Sequence, residues 1–208
     1  LPPSSFVDIF EKNRFCSKLD FYMLKKAIQQ IRKWIDMGMN PVNISVNQSK
    51  IVFYHENYIS ELKSLLEEYN VLGSYITLEV LESTVIEDID MFNSILTEVK
   101  KLGFSVSLDD FGSGYSSLNV LSKLQIDELK IDRIFLHTKS EVDNQRTKWI
   151  LESIIDIAKK SQILVVVEGV ESKQDDLFIK NLGADVGQGY FYGRPLSISA
   201  FNDLIETK

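Results

Sequence analysis

Eight positions in this chain carry groups that could do chemistry, and each stands at or beside the end of a short apolar run. Asn47 follows Ile44-Ser-Val46, Glu79 follows Ile76-Thr-Leu78, and the adjacent pair Asp109 and Asp110 follows Val106-Ser-Leu108. Lys130 and Asp132 flank Ile131, Glu168 follows Leu164–Val167, and Gln188 follows Val186-Gly187. Taken singly, most of these have plain readings, such as a solvated strand-end acid at Glu79, a turn and helix cap at Asp109 and Asp110, or a solvated lysine at Lys130. As a set they describe one kind of site. Four carboxylates gathered in one pocket repel one another and drift toward their protonated forms unless a cation sits among them. The donors are all oxygen, and His55 and His137 fall outside the strand ends, so the expected ions are Mg²⁺ or Mn²⁺ rather than zinc. Asp109 and Asp110 could serve two ions about 4 Å apart, as in two-metal phosphoester hydrolysis, with Lys130 holding or polarising the attacking water.

Convergence of such distant residues needs a scaffold that brings strand ends to one face. The apolar, β-branched runs at Val42–Val46, Ile76–Leu78, Phe104–Leu108, Ile126–Ile131, Ile163–Val167 and Ala184–Val186 predict buried strands. Helix-period stripes lie between them at Leu62/Leu65/Leu66/Tyr69, Phe92/Ile95/Leu96/Val99, Ile150/Leu151/Ile154/Ala158 and Leu177/Phe178/Leu182. Another precedes the first strand, at Leu24/Ile28/Ile31/Ile35, and a last one, Phe201/Leu204/Ile205, follows the final strand. This alternation predicts an α/β fold with a parallel sheet and helical crossovers, in which the C-terminal strand ends share one face. Closure as a barrel and an open doubly wound sheet both remain compatible with it, although no Gly-x-Gly-x-x-Gly turn favours the open form.

Bulk properties narrow the function classes. A chain of 208 residues, 44% hydrophobic and 25% charged, has material for one large core. Its net charge of −7 repels polyanions, which argues against non-specific binding of DNA or RNA. Any nucleotide must be recognised locally. The lone Cys16 permits no internal disulfide and suits a reducing, cytoplasmic setting. No apolar run approaches the ~20 residues that span a bilayer, and a membrane-anchored parent is compatible with that. Neither repeats nor a linker divide the chain, so 1–208 is expected to form a single domain.

Several segments resemble the EAL-domain cyclic di-GMP phosphodiesterases. SVNQS at Ser45–Ser49 resembles the family's Asn-x-Ser element, and DDFGSGYSSL at Asp109–Leu118 its aspartate pair and following loop. LKID at Leu129–Asp132, VEGVE at Val167–Glu171, GQGY at Gly187–Tyr190 and RPL at Arg194–Leu196 look like later elements, in the family's order. The resemblance implies a TIM-like (β/α)₈ barrel. It implies that the Glu-Ala-Leu strand and an earlier one precede Leu1, so that an N-terminally incomplete domain carries about six of the eight strands. It also implies metal coordination by Asn47, Glu79, Asp109, Asp110 and Glu168, with Lys130, Asp110 and Glu168 in catalytic roles. Gln188, Glu82, Asp132 and Ser113 would bind substrate or water or steady the loop, Glu82 bracing the segment from Phe111 to Ser117. Leu81 departs from the family's usual threonine. The implied reaction is metal-dependent hydrolysis of cyclic di-GMP to linear pGpG by two-metal activation of water. The alternative is a catalytically inactive domain serving as a cyclic di-GMP receptor or as a signalling or interaction module. A homodimer and an upstream sensor or cyclase domain are the family-level expectations for partners.

Overall fold

The computed structural model describes residues 16–85, 88–112, 121, 123–136 and 141–206. It opens with α1 (Cys16–Asp36), whose stripe of Leu24, Ile28 and Ile31 is fully buried. Spacing of three and four residues puts these side chains on one face, and burying each contributes about 1.5–3 kcal/mol. There follow β1 (Ile44–Gln48), a single turn α2 (Lys50–Phe53), α3 (Tyr58–Tyr69), β2 (Ile76–Leu81) and a second single turn α4 (Glu82–Val85). Next come α5 (Ile89–Lys101), β3 (Ser105–Phe111), β4 (Glu128–Ile131), α6 (Glu141–Lys160), β5 (Leu164–Val167), α7 (Lys173–Leu182), β6 (Val186–Gly187) and α8 (Ile198–Glu206).

All strand pairs are parallel and their spatial order is β1-β2-β3-β4-β5-β6, the order of the chain. A doubly wound sheet reverses its order at a switch point, whereas a sheet that always winds the same way is the wall of a barrel. The sequential order therefore removes the open alternative and gives the TIM-like fold class. In the helical layer the first and last helices touch. Trp34 of α1 donates its indole N–H to Asn202 Oδ1 of α8 at 2.8 Å, and its ring lies 6.1 Å from Phe201.

The strands run further toward their C-terminal ends than the apolar runs suggest. β1 begins at Ile44 rather than Val42 and takes in Asn47 and Gln48, while β2 takes in Glu79 and β3 takes in Asp109 and Asp110. Ladder hydrogen bonds come from the backbone and are indifferent to side-chain polarity, so hydropathy misplaces strand ends where the last residues of a strand are polar. Side-chain direction alternates along a strand. In β2, Ile76, Leu78 and Val80 are fully buried against the helical layer, and Thr77, Glu79 and Leu81 point the other way. Three stripe positions also differ from expectation: Ile150 of α6, Leu177 of α7 and Leu204 of α8 are exposed, with Leu151 and Ile179 taking the buried places in α6 and α7.

Candidate metal centre and active site

Strand register brings the polar positions to one mouth. Asn47 pairs with Glu79 across β1 and β2, and Glu79 pairs with Ser107, two residues before Asp109. On the far side Ile131, next to Lys130, pairs with Val167, next to Glu168, and Val167 pairs with Gly187, next to Gln188. Asn47 and Gln188 are exposed at this end, whereas Glu79, Asp109 and Lys130 are buried.

Lys130 is the hub. Its Nζ lies 3.0 Å from Glu79 Oε1, 3.0 Å from Asp109 Oδ1 and 2.7 Å from Glu168 Oε1, so four strands meet at one ammonium. Only 5% of Lys130 is exposed, which excludes the reading of a solvated lysine. Burial alone would lower its pKa. The hydrogen bond to Glu168 and the charges of Glu79, Asp109 and Glu168 outweigh burial and raise it, so the side chain is a permanent cation.

The adjacent acids serve one site because β3 is bulged. Neighbouring residues of a regular strand point to opposite faces. Here the register steps from Leu108 opposite Leu129 to Phe111 opposite Ile131, so β3 spends one residue more than β4. Asp110 takes up the irregularity with φ +56, a left-handed conformation that Asp tolerates better than most residues. Its amide N–H donates to Asp109 Oδ1 at 3.0 Å. As a result one oxygen from each of Asp109, Asp110 and Glu168 lies within 4.8 Å of the others.

Electrostatics mark this group as short of positive charge. Burial raises the pKa of Glu79, and Asp109 adds to the rise while Lys130 and a hydrogen bond from Ser45 oppose it. Asp110 is raised by burial and by the charges of Asp109, Asp132 and Glu168. Glu168 is raised by burial despite its bond to Lys130. One lysine thus does not neutralise the cluster, and an all-oxygen donor set with surplus negative charge fits a hard divalent cation.

The remaining expected residues stand around this centre. Glu82 is buried and its Oε2 accepts the Gly112 amide at 3.4 Å, holding the start of the segment after β3. Asp132 caps the short turn at Arg133–Phe135, its Oδ1 accepting Ile134 N–H at 2.8 Å, and its charge acts on Asp110. Gln188 is held through its backbone, donating to Val167 and accepting from Val170. Ser113 and most of the segment to Ser117 lie outside the described residues, as does His137. Acids at the opposite strand ends are engaged structurally. Asp127 accepts Val106 N–H and pairs with Lys100, and Asp185 accepts Val165 N–H.

Sequence reasoning missed the brace behind Asn47. The buried Asp20 of α1 accepts Ser49 N–H at 2.9 Å, and Gln48 accepts the Tyr58 hydroxyl at 3.0 Å in a buried contact. A signal was present. Asp20 stands four residues before Leu24, in line with the apolar stripe of α1, and an acid on a buried face needs a partner. No such signal distinguished Ser45, whose hydroxyl reaches Glu79.

Comparison with known proteins gives a consistent result. The EAL domain family model matches residues 1–195. The chain is 33% identical over 196 residues to the bifunctional diguanylate cyclase/cyclic di-GMP phosphodiesterase MucR of Pseudomonas aeruginosa, covering 94% of this chain and 28% of MucR. It is 31% identical over 202 residues to the cyclic di-GMP phosphodiesterase PdeR of Escherichia coli, covering 97% of this chain and 30% of PdeR. The match thus spans 28% and 30% of these two curated relatives. Among solved structures, the PaMucR phosphodiesterase in complex with c-di-GMP matches with a TM-score of 0.87 at 32% identity, over 97% of this chain and 81% of that one.

Proposed function

This chain belongs to the EAL domain family, and from that premise we propose that it hydrolyses one phosphodiester bond of cyclic di-GMP to give linear pGpG. The observation that carries the reading is the meeting of Glu79, Asp109, Lys130 and Glu168, from four strands, around one buried ammonium. A scaffold used only for protein contacts has no need of two buried acids and a half-buried one gathered on a buried lysine, since each charge taken out of water costs desolvation free energy.

Asn47, Glu79, Asp109, Asp110 and Glu168 are the residues that would hold Mg²⁺ or Mn²⁺, two ions in the active form. When bound, such ions supply Lewis acidity toward a phosphoryl oxygen and lower the pKa of water. Lys130 orients the attacking water through its ammonium donors, and its permanent charge opposes the negative charge that develops on the phosphoryl group. Asp110 and Glu168, whose proton affinity burial raises, would take the proton of that water. Glu82 holds the Gly112 amide just after the aspartate pair and Asp132 caps the turn after β4, while Gln188 and Ser113 would bind substrate or water. A cyclase or sensor domain joined to this one in a longer, cytoplasm-facing protein, and a homodimer, complete the proposal.

Incubating the chain with cyclic di-GMP and Mn²⁺ or Mg²⁺, with chromatography of the products, tests it. The expected result is pGpG, lost on chelation and reduced at least about a hundredfold in Asp109→Asn. Tight nucleotide binding with no pGpG above background would assign the domain to the receptor class instead.

A further inference from the structure

The cation that the fold itself supplies to this acidic group is Lys130, and it holds the same carboxylates that a divalent ion needs. Asp109 and Glu168 belong both to the trio of acids within 4.8 Å of one another and to the set bridged by the Lys130 ammonium, at 3.0 and 2.7 Å. Glu79 is the third of its partners, at 3.0 Å. Two positive charges drawn to the same buried carboxylates repel each other strongly, because little water is present to screen them. Removing a lysine from an ordinary site costs affinity for whatever the lysine helps to bind. Here the sign is reversed for the metal.

We propose that Lys130 is a built-in competitor for the metal site, an internal counter-ion that holds Glu79, Asp109 and Glu168 together and sets the divalent-ion concentration at which the site loads. The inference rests on the metal-dependent reading above and adds a second role for the same lysine. When an ion binds, the ammonium gives up part of its contact with Asp109 and Glu168 and becomes free to turn toward water and substrate. Loading the metal and arming the lysine are then one event. The site thereby binds its ion less tightly than the same acids would without the ammonium.

Titration calorimetry of the full chain with Mn²⁺ at neutral pH decides the matter, because it reads metal affinity without reference to turnover. Lys130→Met is expected to bind Mn²⁺ about tenfold more tightly than wild type, or better, while losing hydrolysis. Lys130→Arg, which keeps the charge, is expected to stay within about threefold of wild type. Equal or weaker binding by Lys130→Met would overturn the competition and leave the metal reading standing. Binding by neither protein would sink both. Should Lys130→Met be recovered unfolded, circular dichroism on adding Mn²⁺ separates the outcomes. Refolding by the ion supports the proposal, since the metal then takes the place of the ammonium, and failure to refold at saturating Mn²⁺ counts against it.

Discussion

At the scale of single residues, the informative feature is that three acids in one cluster hold their protons more tightly than free carboxylates do. Glu79 and Glu168 are raised from an ordinary value of 4.5 and Asp110 from 3.8, in each case chiefly by burial. A group whose folded-state pKa is raised contributes stability that is fully present below its unfolded pKa and is lost as pH rises through the folded value. These acids therefore weaken the fold as they ionise, and a bound cation removes the penalty. Protons and metal compete for the same oxygens. Mn²⁺ affinity is expected to fall on acidification from a pH above 4.5, earlier than for a site of unperturbed carboxylates, and calorimetry across a pH series checks the midpoint. A midpoint at or below the ordinary carboxylate range would show that burial does not govern the site.

At the scale of elements, the strand termini do the positioning, and they do so through irregular backbone. The bulge in β3 lets Asp109 and Asp110 share a mouth that a regular strand would have split between two faces. After β5, Glu168 is followed by Gly169 at φ +72, where an added Cβ would clash with Cβ of Arg133. Only glycine meets both conditions, a left-handed backbone and no room for a Cβ. Gly169→Ala is expected to destabilise the fold by roughly 1–3 kcal/mol in urea unfolding. It should also displace Glu168 from Lys130, so the same variant should lose Mn²⁺ affinity. A stable variant with wild-type metal binding would mean that the turn after β5 is not what places Glu168.

At the scale of the molecule, the contacts between α1 and α8 tie the beginning of the described chain to its end. Trp34 is 2% exposed, packs on Phe201 and donates to Asn202, so it links elements separated by the whole run of the sheet. Trp34→Ala removes a large buried side chain and is expected to cost about 3–5 kcal/mol, measured by denaturant unfolding. A change under about 1 kcal/mol would show that α8 is an appendage rather than part of the wall. Among the described residues, no helix is long and apolar enough to cross a membrane.

Composition, periodicity and motif spacing determined the alternation of strands and helices, the strand ends that carry chemistry and the kinship that Asp109-Asp110-Phe111-Gly112 announces. These properties are local, because a buried parallel strand must be apolar along its length and a polar residue at its end breaks that pattern visibly. Tertiary structure alone decided the rest. Sequential strand order chose a barrel over an open sheet, which no local pattern encodes. The bulge at Asp110 and the brace from Asp20 to Ser49 arise from contacts between distant elements. Above all, Lys130 reads in isolation as a solvated lysine. Its place among Glu79, Asp109 and Glu168 exists only once four strands are in register, because charge interactions depend on distance in space and not along the chain.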